Sequence, residues 1–150
     1  MLKQQIEQDL KSAMLGGDKQ RVSTLRVIKS VILYAEVAKG SRDIGLSDAE
    51  VIELLLKEAK KRQEAAGLYQ KAGEAKRADI ELAEKAIVES YLPKQLSDDE
   101  LKKVVKEAFA SSGATSIQQM GQVISQVKDQ VGASADSARI ARMVKEGLLG

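Results

Sequence analysis

The sequence predicts an all-α protein with a four-helix N-terminal domain at residues 1–92 and a small three-helix tail domain at residues 93–150. Apolar residues recur every three or four positions along most of the chain, which gives a helix one apolar face. Proline occurs once, at Pro93, and aromatic residues make up only 3% of the chain. Few prolines permit long helices, and few aromatic residues argue against strands.

The first two predicted helices are separated by a pair of glycines. We expect the first to end at Gly16 and Gly17, because glycine readily adopts the left-handed backbone of a helix C-cap. Asp18 can cap the second helix, which should end at Gly40. The apolar faces of these two helices consist of Ile6, Leu10, Ala13, Met14, Leu25, Ile28, Val31, Ile32 and Ala35.

A capping box at Ser47 and Glu50 marks the start of the third predicted helix, since each side chain can bond the backbone N–H of the other residue. This helix should end near Gly67 or Gly73. The fourth is predicted to span residues 80–91. The apolar positions of the two are Val51, Leu54, Leu55, Ala59, Ala66, Leu82, Ala83, Ile87 and Val88.

The predicted domain boundary is Pro93, because proline cannot continue a helix and disfavours helical backbone at Leu92. A second capping box, at Ser97 and Glu100, opens the fifth helix, which should end near Gly113. Apolar positions of the tail are Leu101, Val104, Val105, Ala108, Phe109, Ile117, Met120, Val123, Ile124, Val127, Ile140, Met143, Val144, Leu148 and Leu149.

Two further signals divide the rest of the tail. Ser116 and Gln119 repeat the capping pattern before the sixth helix, and the seventh follows Gly132. Gly121 falls within the sixth helix, where glycine costs about 1 kcal/mol relative to alanine. We therefore expect Gly121 to permit the close approach of another helix or, as the alternative, of a ligand backbone.

The chain lacks the residues of most catalytic and cofactor sites. It has no His and no Cys, which excludes Ser-His-Asp and Cys-His arrangements and the common zinc sites. It has neither a GxxxxGKS/T nor a GxGxxG phosphate loop. Asp79, Glu81 and Glu84 could supply acid–base chemistry, but such acids usually lie on a helix surface. We expect no cofactor, no metal and no activity of the chain alone.

The charge distribution favours local contacts over bulk attraction to a polyanion. Net charge is +2, from 24 basic and 22 acidic residues, and neither a signal peptide nor a membrane span is indicated. We expect a cytoplasmic protein with no membrane or DNA partner. The candidate nucleic-acid-binding residues are Lys60, Lys61, Arg77, Lys128, Arg139, Arg142 and Lys145.

The charged third helix also has a simpler interpretation. Lys60 and Glu64 are four residues apart, so this helix can equally be a solvated face with weak ion pairs. Glu58 and Arg62 are different, because they fall on the same stripe as the apolar residues. We expect them to form a partly buried structural ion pair that also includes Arg26.

Five segments resemble the GatB/YqeY family in their order and spacing. They are LRVIKSVILYAE (Leu25 to Glu36), LSDAEVIELLLKEAKKRQEAA (Leu46 to Ala66), YQKAG (Tyr69 to Gly73), YLPKQLSDDEL (Tyr91 to Leu101) and MGQVI (Met120 to Ile124). The family usually has a Lys after the tail glycine, where this chain has Gln122. The family also has a basic loop in the tail, whereas this chain has QVGASAD (Gln130 to Asp136) at that place. In this chain, basic residues follow the loop at Arg139 and Arg142.

The resemblance implies a free-standing version of the C-terminal region of the B subunit of the glutamyl/aspartyl-tRNA amidotransferase. In that enzyme the tail region helps to hold the tRNA, while the chemistry belongs to a separate part. The resemblance thus implies tRNA or an amidotransferase as partner. It also implies that a description of the chain as a carbon–nitrogen ligase, with glutamine as amido-N donor, would be inherited from the larger subunit. The alternative is a protein-interaction adaptor that presents an apolar groove of the three-helix tail to a partner, and exposure of Met120, Met143 and Leu149 would favour it.

Overall fold

A computed structural model of the chain describes residues 1–149, which form seven α-helices and no strand. The helices are α1 (Leu2–Gly16), α2 (Lys19–Lys39), α3 (Asp48–Lys71), α4 (Ala75–Glu89), α5 (Asp98–Ser112), α6 (Met120–Val131) and α7 (Ser137–Leu149). Two short 3-10 turns, Ile117–Gln119 and Gly132–Ser134, precede α6 and α7. The all-α prediction is confirmed. Within the described residues, no helix combines the length and the hydropathy needed to span a membrane.

Local signals set most of the helix ends. Gly17 and Gly40 both have φ +71° and end α1 and α2, while the Asp18 side chain accepts a bond of 3.1 Å from the Arg21 N–H. The capping boxes before α3 and α5 are both present, each with a serine hydroxyl accepting from the glutamate N–H. These ends depend only on residues within one turn, which is why the sequence predicts them.

Three local predictions are wrong. Helix α4 starts at Ala75, before the expected Ile80, and ends at Glu89. Ile117 lies in a 3-10 turn and is exposed, so it does not belong to the apolar face of α6. Met14 is also exposed and does not join the buried face of α1, which consists of Ile6, Leu10 and Ala13.

Contacts divide the chain into two compact units, Met1–Leu92 and Pro93–Gly150. In the first unit, α3 and α4 form an antiparallel pair across a tight connection, and α2 contacts α1, α3 and α4. Its core consists of Ile6, Leu10, Leu25, Ile28, Ile32, Val51, Leu55, Ala59 and Val88.

The second unit packs its three helices around a separate core. All three pairs of α5, α6 and α7 are in contact. Its buried residues are Leu101, Val105, Ala108, Val123, Val127, Ala135, Ile140, Met143 and Val144. Gly121 does not contribute to this packing, because a Cβ atom added there would meet no atom within 4 Å. The close helix approach expected at Gly121 is therefore wrong.

Candidate nucleic-acid interface

The basic candidates of the first unit lie on the outer surfaces of α3 and α4. Lys60, Lys61 and Arg77 are exposed, and none of the three forms an ion pair within residues 1–149. The guanidinium carbon of Arg77 lies 5.9 Å from the ring centroid of Tyr69, within the range of a cation–π contact. The charges of these side chains therefore face the solvent from the packed pair of helices α3 and α4.

The basic candidates of the second unit divide into free and engaged side chains. Lys128 on α6 and Lys145 on α7 are exposed, and no acidic partner lies near either among the described residues. Arg142 Nε lies 4.0 Å from Glu146 Oε1, a weak pair one turn along α7. Lys128 and Lys145 are therefore the free cations of this set.

Arg139 has a structural contact that the sequence does not reveal. Its Nη2 donates to the Leu96 carbonyl at 2.9 Å and to Asp98 Oδ1 at 2.9 Å. The Leu96 N–H in turn donates to the Ser134 carbonyl at 2.8 Å. Arg139 thus ties the segment before α5 to the start of α7, and its charge is largely matched by Asp98.

A buried ion-pair cluster lies between α3 and α4. Glu58 and Arg62 are each only 8% exposed, and Arg62 Nη1 donates to Glu58 Oε2 at 3.3 Å. Arg62 Nε lies 3.7 Å from Glu84 Oε2 on α4. Burial raises the pKa of the Glu84 carboxyl, Arg62 opposes this shift, and the charge of Glu81 adds to it.

Arg26, the third member expected from the sequence, does not take part in this cluster. It is exposed on α2 and has no ion-pair partner in the described part of the chain. Glu84 takes the third position instead, because α4 packs closely along α3. Sequence spacing identifies the Glu58 and Arg62 pair but not which neighbouring helix completes it.

Another buried carboxylate belongs to Glu36 on α2, which is 1% exposed. Its Oε1 atom lies 2.7 Å from Lys3 Nζ on α1. Sequence analysis missed this residue, although Ile28, Ile32 and Glu36 follow one another at intervals of four and therefore share a helix face. The Lys3–Glu36 pair joins α1 to the end of α2.

Tyr91 fixes the end of the first unit. Its hydroxyl donates to Asp9 Oδ2 at 2.6 Å and accepts from Arg21 Nη2 at 3.4 Å. Burial raises the pKa of Tyr91 well above its usual range, and the hydrogen bond to Asp9 raises it further. Tyr91 therefore stays protonated at neutral pH and acts as a structural contact.

The tail contains an apolar groove of about 370 Å³ between α5 and α7. Val105, Phe109, Met143 and Gly147 line it, with Lys102 and other charged residues at its edge. A Cβ atom at Gly147 would lie 2.6 Å from Phe109 Cε2, so glycine is needed for this close approach. Of the three residues whose exposure would favour an adaptor, only Leu149 is exposed, while Met143 is buried and Met120 is partly buried.

The described residues hold no group of three or more side chains suited to binding a metal ion. Asp79 is exposed and Glu81 partly exposed, while Glu84 is held beside Arg62. The candidate residues thus comprise exposed cations and a buried ion-pair cluster, and the tail adds an apolar groove.

Comparison with known families gives one match. A family model described as Yqey-like protein matches residues 3–148, nearly the whole chain. No curated protein matches the chain.

Proposed function

Because the chain belongs to the YqeY-like protein family, we propose that it is a non-catalytic cytoplasmic module that binds tRNA or associates with a tRNA amidotransferase. The observation that carries the proposal is the family match over residues 3–148, which includes both compact units. The same segments resemble the tail region of the amidotransferase B subunit. Any carbon–nitrogen ligase label is then inherited from that subunit and does not describe chemistry of this chain.

The exposed cations support an RNA contact that depends on shape. Lys60, Lys61 and Arg77 in the first unit, and Lys128 and Lys145 in the second, carry charges that no acidic side chain neutralises. Folded RNA is bound largely through its phosphates and its shape, which such side chains can recognise. The net charge of +2 is small, so binding depends on these local groups.

A titration with bulk tRNA at several salt concentrations tests the proposal. With about four phosphate contacts, affinity should fall on the order of a hundredfold between about 50 mM and about 200 mM salt, because bound counterions are released. Fluorescence anisotropy with labelled tRNA measures this slope. The absence of binding at low salt would refute an RNA-binding role.

Variants of the free cations locate the contact. We expect Lys60→Ala with Lys61→Ala, and separately Lys128→Ala with Lys145→Ala, to weaken binding and to lower the salt slope by about one for each phosphate that the variant no longer binds. Lys11→Ala with Lys103→Ala removes the same charge from exposed positions outside the set and serves as the control. Arg139→Ala is less informative, because it also breaks the bond to Leu96. Equal weakening of tRNA binding in the two double variants and in the Lys11 and Lys103 control would indicate that only the total charge of the protein matters.

The alternative function is a protein-interaction adaptor. The groove lined by Val105, Phe109, Met143 and Gly147 is the feature that such an adaptor would use. An amidotransferase partner held in this groove would bind with little salt dependence. Phe109→Ala, which changes a partly buried side chain of the groove, should then weaken the interaction, whereas Lys128→Ala with Lys145→Ala should leave it unchanged.

A further inference from the structure

The outer side of the α1–α2 pair exposes an unusual amount of apolar surface. Half of the large apolar side chains that the described residues expose lie at the end of α1 or along α2, and their exposed fractions range from 43% to 91%. These six side chains, here called the α1–α2 face, are Met14, Leu15, Val27, Leu33, Tyr34 and Val37. Exposed apolar side chains mark an interaction surface where they border a concave site.

The face contains a groove where α1 meets α2. It has a volume of about 640 Å³ and lies between Met14 at the end of α1 and Val22 and Val27 on α2. Lys19 and Arg26 lie at its edge. Along α2, Val27 and Tyr34 are seven residues apart, which places them two turns apart on one side of the helix. The groove is thus continued by an apolar stripe.

Both charged residues that line this groove, Lys19 and Arg26, are basic, and the neighbouring acid, Asp18, is engaged as the N-cap of α2. Among the basic residues of α2, Arg21 pairs with Asp9 and Lys39 pairs with Glu50. Lys19, Arg26 and Lys29 have no ion-pair partner in residues 1–149. The only acid within α2 is Glu36, which is buried beside Lys3. Helix α2 therefore carries three unneutralised cations and no free carboxylate.

We propose that the α1–α2 face is the docking site of an amphipathic helix from a partner protein, with acidic residues beside its apolar stripe. Leucine-like side chains of that helix enter the groove at Met14 and Val27, and its carboxylates pair with Lys19 and Arg26, which line the groove. Burial of aliphatic side chains supplies affinity, and the cations set orientation and exclude basic partners.

The apolar groove favours a helix over an RNA backbone. RNA offers phosphates to cations and bases to aromatic rings, but it leaves aliphatic side chains such as Met14, Leu15 and Val27 without a partner. Tyr34 is the only aromatic residue of the face. A concave site between two helices also suits an inserted helix better than a flat lipid surface. This inference does not depend on the proposed tRNA role.

The test uses the full chain and a fluorescein-labelled synthetic peptide of about 18 residues, long enough to form a helix. The peptide has leucines at helical spacing with glutamates on both sides of the stripe. A second peptide replaces every glutamate with lysine. Fluorescence anisotropy should show saturable binding of the acidic peptide, at least about tenfold tighter than that of the basic one.

Two variants and a control assign the site. Lys19→Glu with Arg26→Glu should weaken binding of the acidic peptide by at least about tenfold, and Val27→Asp should do the same through the apolar contact. All three positions are exposed, so circular dichroism should show unchanged helix content. Lys57→Glu with Lys71→Glu on α3 makes an identical change of net charge at exposed positions and should leave peptide affinity unchanged.

Several outcomes would overturn the proposal. They are no binding of the acidic peptide, equal binding of both peptides, or unchanged affinity in the α2 variants. Binding of anionic phosphatidylglycerol vesicles in place of the peptide, lost in Lys19→Glu with Arg26→Glu, would assign the face to lipid. Loss of tRNA binding in that variant without any peptide binding would assign it to RNA and would leave the tRNA proposal standing.

Discussion

Arg62 carries one positive charge between two carboxylates in the interior of the first unit, and the two acids are not equivalent. Glu58 is almost fully buried and lies 3.3 Å from Arg62 Nη1, whereas the Glu84 side chain is 23% exposed and lies 3.7 Å from Arg62 Nε. Arg62 Nε has no hydrogen-bond partner within the described residues. A buried guanidinium requires one close carboxylate, which Glu58 supplies. The second acid adds a desolvation cost, seen as the raised pKa of Glu84.

We predict that Glu58→Gln destabilises the protein by about 1–3 kcal/mol at pH 7, because it leaves Arg62 buried beside the more distant Glu84. Glu84→Gln should have a smaller effect. Since the folded state raises the pKa of Glu84, ionised Glu84 lowers stability as the pH rises above its usual pKa. Urea unfolding of both variants at pH 4 and pH 7 measures the difference. A larger loss in Glu84→Gln than in Glu58→Gln would contradict this division of roles.

Glu50 gives a pH dependence of the opposite sign. The hydrogen bond from Lys39, followed by the backbone N–H of Ser47, lowers the pKa of Glu50 from 4.5 to about 2. A lowered folded-state pKa gives stability that is complete above about pH 4.5 and is lost as the pH falls towards 2. Glu50→Gln keeps the shape of the capping box but removes the charge. The stability difference between wild type and variant should shrink across that pH range, and a constant difference would contradict the assignment.

At the scale of helices, local signals are predictable and contacts between helices are not. The serine capping boxes and C-cap glycines act within one turn, so the sequence predicts the ends of α1, α2 and α5 well. The prediction places the start of α4 too late, because no capping pattern in the sequence marks it. The N-cap of α4, Glu74, makes no side-chain hydrogen bond.

The candidate site follows the same rule. Its residue types and the Glu58–Arg62 spacing can be found in the sequence, because an interval of four places two side chains together on one helix. The engagement of Arg139 by Leu96 and Asp98, and the choice of Glu84 over Arg26 beside Arg62, depend on packing between separate segments. Spacing along one helix carries no information on such partners.

Two glycines within the tail helices allow the effect of helix propensity on stability to be compared with the effect of side-chain packing. Gly121 is open around its missing side chain, whereas a Cβ at Gly147 would overlap Phe109. We predict that Gly121→Ala raises the free energy of unfolding by up to about 1 kcal/mol, since alanine is the better helix former. Gly147→Ala should lower it by about 1 kcal/mol, because the Phe109 ring must move.

A double-mutant cycle checks the cause of the Gly147 effect. In a Phe109→Leu background the shorter side chain leaves room for the new methyl group, so Gly147→Ala should no longer destabilise. Thermal unfolding of the four proteins measures the coupling. Equal effects of Gly147→Ala in both backgrounds would mean that Phe109 is not the obstacle.

At the scale of the whole molecule, each compact unit contains its own hydrophobic cluster. The first includes Leu25, Ile28 and Leu55, and the second includes Leu101, Val127 and Ile140. The polar ties described above also stay within a unit: Tyr91 bonds Asp9 in the first, and Arg139 bonds Leu96 in the second. Such an arrangement is what two independently folding domains require.

We therefore predict that residues 1–92 and 93–150, produced separately, both fold into helical proteins with cooperative unfolding. The tail should be the less stable of the two, because a domain of about 60 residues buries a smaller fraction of its surface. Circular dichroism and urea unfolding of the two fragments measure this. Arg139→Ala in the tail fragment should lower its stability further, since the Leu96 carbonyl loses a donor from a charged group. A tail fragment without helical signal would show that its core needs the first unit, and Pro93 would then mark a turn within one domain.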